Sequence, residues 1–327
     1  PALIASYFRA NRLGVSVDRK PAELLRVIRA VRAIPSRHIR AGAFVYPDRA
    51  YSLYALKQIP EIIHCAAYLG ASLIVIFELY TGDRGAELIR SSLRAAEGDV
   101  EIGDGSVIKA HANILKGTRI GQRTVVYHNA VIGSIPQDLH YKGEEAGVII
   151  GDECDIRENV VIARATHKGQ FTTIGNHCFL MDGAHLCHDV KLDDWVIVGI
   201  KATLAGDSHV KSYTILSTNV QLQQNVCVGQ WSFIQSGCRI AKDVPPYIMM
   251  AGNPAKYHGV NVQILKQNDK QPLDDRTIRH IMNAYYLIYQ TSYSLEDAVE
   301  KIIEQVPKGP EIDNIIEFVQ HSKGLTK

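Results

Sequence analysis

Between residues 181 and 189 the chain reads Met-Asp-Gly-Ala-His-Leu-Cys-His-Asp, with imidazoles at His185 and His188 and a carboxylate at Asp189 directly after the second. An imidazole beside a carboxylate can be held in one tautomer and made more basic, which suits a general base. A solvated surface histidine is the plainer alternative. Two histidines, a carboxylate and two nearby irregular segments favour the chemical reading. His177, Cys178 and Cys187 crowd the same stretch and raise a zinc site as a third option. The pair His185-x-x-His188 has no third histidine in a fixed relation to it, so no metal is expected.

A six-residue repeat must position these groups. Ile102, Ile108, Ile114, Ile120, Val126 and Ile132 are spaced by six, the beat resumes at Ile150, Ile156 and Ile162, and it then runs unbroken from Ile174 to Ile240. Amphipathic strands need a period of two and helices one near 3.6, whereas hexapeptides signal a parallel β-helix. Each hexapeptide makes a short flat face and a corner, three such faces close one coil, and the aliphatic side chain stacks inside on its equivalents. The expected fold is mainly β: a left-handed parallel β-helix of about seven coils. Leu186 is then an inward residue, which sends His185 and His188 to outward or corner positions. Asp189 and Asp207 are separated by three full hexads. They should lie one above the other, where two like charges call for a bridging polar partner.

Two interruptions break the beat, Ser134 to Val148 and Ala163 to Thr173, and segments ejected from a rigid solenoid commonly carry binding residues. The repeat stops at Lys242-Asp243-Val244-Pro245-Pro246. Helical patterns follow: Ile278, Ile281, Tyr285 and Ile288 after Asp274; Val299, Ile302 and Ile303 after Ser294; and Ile312, Ile315 and Val319 after Pro310. The expected domains are an atypical N-terminal segment (1–97), the β-helix (98–246) and a C-terminal α-helical domain (247–327).

The 327 residues carry 36 basic and 34 acidic side chains, a net +2, with 46% hydrophobic content. That supports a real core and argues against a nucleic-acid binder, which needs a strong basic excess. The balance is uneven. Residues 1–97 hold 12 Arg and 2 Lys against 8 acids (+6), which leaves 22 basic against 26 acidic side chains in the rest (−4). Either a separate, helix-rich N-terminal domain or a foreign front end fused to the repeat fits this inversion. The stretch after Pro21 reads as a basic amphipathic helix, and the apolar run Ile62 to Tyr80, interrupted by His64 and Glu78, as a buried element, with no stable membrane insertion. The six cysteines (65, 154, 178, 187, 227, 238) form no CxxC pair and read as reduced thiols of a cytoplasmic protein.

Residues 98–327 closely resemble the acyl-[acyl-carrier-protein]–UDP-N-acetylglucosamine O-acyltransferases (LpxA family) of lipid A biosynthesis. The resemblance rests on the segment Pro136-Gln137-Asp138-Leu139-His140-Tyr141-Lys142-Gly143-Glu144, on Asp155-Ile156-Arg157-Glu158-Asn159, on Leu180 to His185 with His188-Asp189, and on Gly259-Val260-Asn261 and Asn283-Ala284-Tyr285. It implies a homotrimer with sites between neighbouring prisms, acyl carrier protein and UDP-N-acetylglucosamine as partners, and no cofactor. It further implies His188 as base, Asp189 as its orienting carboxylate and Gly206 as a backbone oxyanion donor. Gln137, Asp138, His140 and His185 fall on sugar-binding positions. Gln224 and Asn261 fall near the nucleotide or pantetheine arm, and Ser236 near the acyl-length position of the groove. The family pattern is departed from at His140, Asp207, Gln223 and Gln267-Asn268, and the family's first two coils have no counterpart in residues 1–97. Lys256, Lys266 and Lys270 are candidates for docking an acidic carrier protein. The N-acyltransferase of the same pathway, which has an N-terminal uridine-binding domain, and a non-catalytic scaffold are the competing readings.

Overall fold

The computed structural model describes residues 99–267 and 272–326. The N-terminal segment 1–97, with the stretch after Pro21 and the run Ile62 to Tyr80, and Lys270 lie outside the described residues. The middle of the chain is a left-handed parallel β-helix. Its short strands form three parallel sheets visited in rotation. The first runs from Glu101–Ile102 to Cys227–Val228 and the third from Asn113–Ile114 to Arg239–Ile240, each seven strands wide. The second starts at Val107–Ile108 and has nine strands.

The register repeats once per coil of three hexads: His185 pairs with Thr203, Thr203 with Gln221 and Gln221 with Arg239. The hexad aliphatics point inward. Leu186, Val198, Leu204, Val210 and Leu216 are fully buried, and each contributes about 1.5–3 kcal/mol by leaving water. Backbone N–H groups at the strand ends bond the carbonyl of the coil below, as Cys187 N–H does to Leu204 O at 2.9 Å. Pairing of the ladder groups between coils lets so slender a prism keep its backbone satisfied.

The corners are tight because one residue in each adopts a left-handed backbone. Along one edge these are Asp189, Asp207 and Asn225, with φ of 59°, 59° and 62°. Asp and Asn tolerate that region better than other non-glycine residues. Along another edge they are His177, Trp195, Tyr213 and Trp231, whose rings stack with centroids 4.0, 6.2 and 4.1 Å apart, offsetting the backbone strain with aromatic contact.

The sheet does not end at residue 246, where the repeat stops. Ile248–Ala251 continues the second sheet because Ile248 and Met250 keep the inward alternation, and Lys256–Val260 folds back antiparallel to it. Helices follow: α1 (Val262–Gln267), α2 (Asp275–Tyr289), α3 (Leu295–Gln305) and α4 (Pro310–His321). Asp274 caps α2 through the Thr277 N–H, and Ser294 caps α3 through the Asp297 N–H. The helices are tied to the base of the prism. The Tyr285 hydroxyl donates to Pro246 O, Asn314 donates to the Tyr247 hydroxyl at 2.9 Å, and the Ser322 hydroxyl donates to Asp243 at 2.7 Å.

Candidate active site

His188 lies at the corner where the third sheet hands over to the first, between strands His185–Leu186 and Lys191–Leu192. Its side chain is 12% exposed. Nδ1 is 2.9 Å from Asp189 Oδ2, and Nε2 is 3.6 Å from Asp138 Oδ2. An ionised carboxylate only accepts, so Asp189 sets the proton on Nδ1 and leaves the lone pair on Nε2. That lone pair faces outward, towards the first interruption of the repeat.

Both interruptions converge on this imidazole. They are slightly shorter than the spacing suggests, because Ser134, Gly147 and Phe171 to Thr173 pair into the sheets. The register shows the excess. Val131 pairs with Val161 and Gly147 with Phe171, in each case further along the chain than the regular step from His185 to Thr203. The first excursion carries Asp138. Its Oδ1 accepts the His140 N–H at 2.7 Å and lies 3.0 Å from the His140 ring. The His140 N–H, foremost, holds the Asp138 carboxyl below its ordinary value. The second excursion carries Thr166, whose hydroxyl and N–H both donate to Asp189 Oδ2, at 2.7 and 3.1 Å. The Thr172 hydroxyl accepts the Asp189 N–H at 2.9 Å.

Gly206 sits one coil below His188, flat against the ring. A Cβ built there would lie 2.3 Å from Cε1 and 2.5 Å from Nε2 of His188. Glycine is required here by close approach, and the position keeps its backbone beside the reactive nitrogen. The Gly206 N–H has no hydrogen-bond partner among the described residues. Asp189 and Asp207 occupy the same corner in successive coils, as the spacing predicts, and their carboxylates part company. Asp189 takes Thr166 and His188, while Asp207 takes the Gln224 side chain at 3.3 Å.

The other candidates are spread more widely. His185 points outward from the third sheet just ahead of the corner, and burial pushes its imidazole below the ordinary value, which keeps it neutral. Gln137 is exposed on the first excursion, and His140 is almost fully solvated. Gln224 lies below Gly206 on the same edge. Asn261 is 2% exposed, and its side-chain amide donates to Trp231 O at 3.0 Å, so its side chain is enclosed and offers a ligand almost no surface. Ser236 stands at the corner between the second and third sheets, a different edge from His188, with its hydroxyl 2.8 Å from that of Ser217. Lys266 is taken by Asp275 at 2.6 Å, and Lys256 is exposed. Among the described residues no group of three His, Cys, Asp or Glu side chains could hold a metal ion, and no helix is long and apolar enough to cross a membrane.

Sequence reasoning missed Thr166 and Thr172. Spacing could not have found Thr166. Counting back three hexads from Asp189 lands on Phe171, and the extra length of the second excursion displaces the true neighbour.

Comparison with known proteins places the arrangement. A family profile described as "Udp N-acetylglucosamine O-acyltransferase; Domain 2" matches residues 243–326. The crystal structure of LpxA, a UDP-N-acetylglucosamine acyltransferase from Bacteroides fragilis, is 38% identical with a TM-score of 0.68. The match covers 71% of this chain and 98% of that one. LpxA from Acinetobacter baumannii is 31% identical with a TM-score of 0.67, over 71% of this chain and 90% of that one. The Francisella novicida UDP-N-acetylglucosamine acyltransferase is 30% identical with a TM-score of 0.67, over 71% and 84%. Likeness of this degree over nearly the full length of such relatives, with a matching helical tail, means that the chain belongs to the LpxA family of UDP-N-acetylglucosamine O-acyltransferases.

Proposed function

We propose that this protein transfers an acyl chain, a 3-hydroxyacyl group in the family reading, from acyl carrier protein to the 3-hydroxyl of UDP-N-acetylglucosamine, the first step of lipid A biosynthesis. The reaction needs no cofactor, and we place it in the cytoplasm. The observation that carries the reading is the His188 imidazole, fixed at Nδ1 by Asp189 and lined at Nε2 by the Asp138 carboxylate and the Gly206 backbone.

The chemistry follows from those atoms. The sugar hydroxyl enters between Nε2 and Asp138, and Nε2 takes its proton as the oxygen attacks the thioester carbonyl. Asp189 stabilises the imidazolium that forms and keeps it aligned. The carbonyl oxygen gains negative charge in the tetrahedral state, and the unpartnered Gly206 N–H, at the ring's face, is the donor assigned to it. Collapse expels the pantetheine thiolate, which recovers the proton from His188. Catalysis then amounts to positioning, one proton carried out and back, and one preorganised dipole. Asp138, His140, Gln137 and His185 are assigned to the sugar, Gln224 and the Asn261 segment to the nucleotide or pantetheine arm, and Ser236 to the limit of the acyl groove.

A homotrimer fits the second sheet. Its outward positions Phe179, Ile197, Ile215, Phe233 and Met249 form an apolar column half open to solvent, which Asp155 separates from Val125, whereas the first sheet mixes Arg119, Lys191 and His209 with Ile149, Thr173 and Cys227 at the equivalent places. Such a column seeks a partner surface, and three prisms around an axis give each one.

The test is incubation with acyl-carrier-protein thioester and UDP-N-acetylglucosamine, with product analysis. An O-acyl ester at the 3-position is the expected product; an amide formed in a parallel incubation with UDP-3-O-acylglucosamine, which carries the free amine, marks the N-acyltransferase, and no product in either marks a scaffold. His188→Ala should lower turnover by about 10²–10⁴-fold. Undiminished turnover in that variant removes His188 as the base.

A further inference from the structure

We propose that Thr166 is a positioning residue for the reaction: it locks the Asp189 carboxylate against Nδ1 of His188 and so governs the aim of the base. The inference rests on the assignment of His188 as general base.

One oxygen, Asp189 Oδ2, carries the whole arrangement. It accepts from His188 Nδ1 at 2.9 Å, from the Thr166 hydroxyl at 2.7 Å and from the Thr166 N–H at 3.1 Å. His188 and Asp189 are adjacent in sequence, and Asp189 sits in a left-handed corner, so nothing in the corner itself stops the carboxyl group from rotating about its own bond. Two donors from one residue do. They fix its orientation and present the same oxygen to the imidazole. Thr166 is itself held firmly. The Arg164 guanidinium donates twice to Gly133 O at 2.9 and 2.7 Å, the Arg164 N–H donates to Ser134 O at 3.0 Å, and the Ala165 N–H donates to Gly147 O. The Gly169 N–H bonds Glu145 O at 2.8 Å, closing the second excursion onto the first. The excursion that bears Asp138 and the one that bears Thr166 therefore form one hydrogen-bonded body that brackets the imidazole at both nitrogens. The titratable groups around His188 are Asp189 on its own corner, the adjacent Cys187 thiol, Asp138 with His140 behind it on the first excursion, His167 next to Thr166 in the chain on the second, His185 on the preceding strand and Asp207 on the coil below, the last bound to Gln224.

The test uses the full chain and three variants, with acyl-carrier-protein thioester and UDP-N-acetylglucosamine as substrates. Thr166→Val removes the hydroxyl at nearly constant volume. It should lower kcat about tenfold with KM little changed, because the carboxylate that aims the imidazole is no longer locked. Thr166→Ser keeps the donor and should restore kcat. A kcat within twofold of wild type, a loss expressed in KM with kcat unchanged, or a Ser variant as impaired as the Val variant overturns the proposal. His188→Ala runs alongside: if it retains full turnover the general-base reading itself fails, and if it is inactive while Thr166→Val is normal only the role of Thr166 fails.

Discussion

Gly206 has little room for a side chain at the corner. A methyl group there would enter the van der Waals volume of the His188 ring at 2.3 Å, so the ring itself must move. Gly206→Ala should therefore swing the imidazole off Asp189 and lower kcat by about 10²-fold, the usual scale for displacing a reacting group by an ångström. Circular dichroism should show an intact fold, and a kcat within threefold of wild type would mean that the ring does not stay where it is seen. At this scale the sequence was informative wherever chemistry coincided with the beat. His188 and Asp189 stand out by type beside the inward Leu186, whereas Gly206 enters through the family resemblance, one coil on from His188. Thr166 does not stand out, because it acts from a segment that the repeat cannot index. Asn261 matched a family motif, yet its amide is spent on Trp231 O. A motif records residue type at a place in the chain, not which way the side chain faces.

Among the elements, the coils around the site owe their shape to inward aliphatics rather than to the corner residues alone. Leu204 is fully buried between Leu186 and Leu222 and belongs to the strand that delivers Gly206. Leu204→Ala should cost about 2–5 kcal/mol by loss of contact and creation of a cavity. Chemical denaturation should register that loss, and a cost below about 1 kcal/mol would show that the coil can collapse around the gap. The hexads were legible because a period of six has few structural solutions. The two strands after residue 246 were not, because Ile248 to Met250 returns to the plain alternation of an ordinary strand after Pro245-Pro246 has broken the beat. The caps of α2 and α3 were legible, since Asp and Ser before an apolar run have a local reason to be there.

For the molecule as a whole, the apolar column on the second sheet carries the assembly reading. If the proposed trimer forms through this face, Ile197→Asp should break it, and sedimentation should then give the mass of one chain in place of three. Activity should fall with it, because the proposed sites lie between prisms; an unchanged mass would refute the assignment of that face. Acid should also weaken the folded state through His185. Its folded-state value is depressed by burial, so above the ordinary imidazole value of about 6.5 it is neutral in both states and costs nothing. As pH falls below that value the unfolded chain takes up the proton more readily, and stability is lost until the folded form also protonates. His185→Asn should flatten this part of the loss, which sets in as pH falls through about 6.5, in denaturant titrations. An equal slope in both proteins would mean that the half-buried ring is freely hydrated.

Each coil of the prism bonds only the coils beside it, at a separation of about 4.8 Å. The span from His188 to Ser236 is thereby quantised. Excising one full turn, residues 208–225, would leave every face in register while shortening the run between the two by a single step. If Ser236 marks where the acyl tail stops, the preferred chain should contract by about four carbons, the number of methylenes an extended tail needs to cover one strand spacing. Tail length would then be inherited as a whole number of turns, with the corner side chain as the fine adjustment between them.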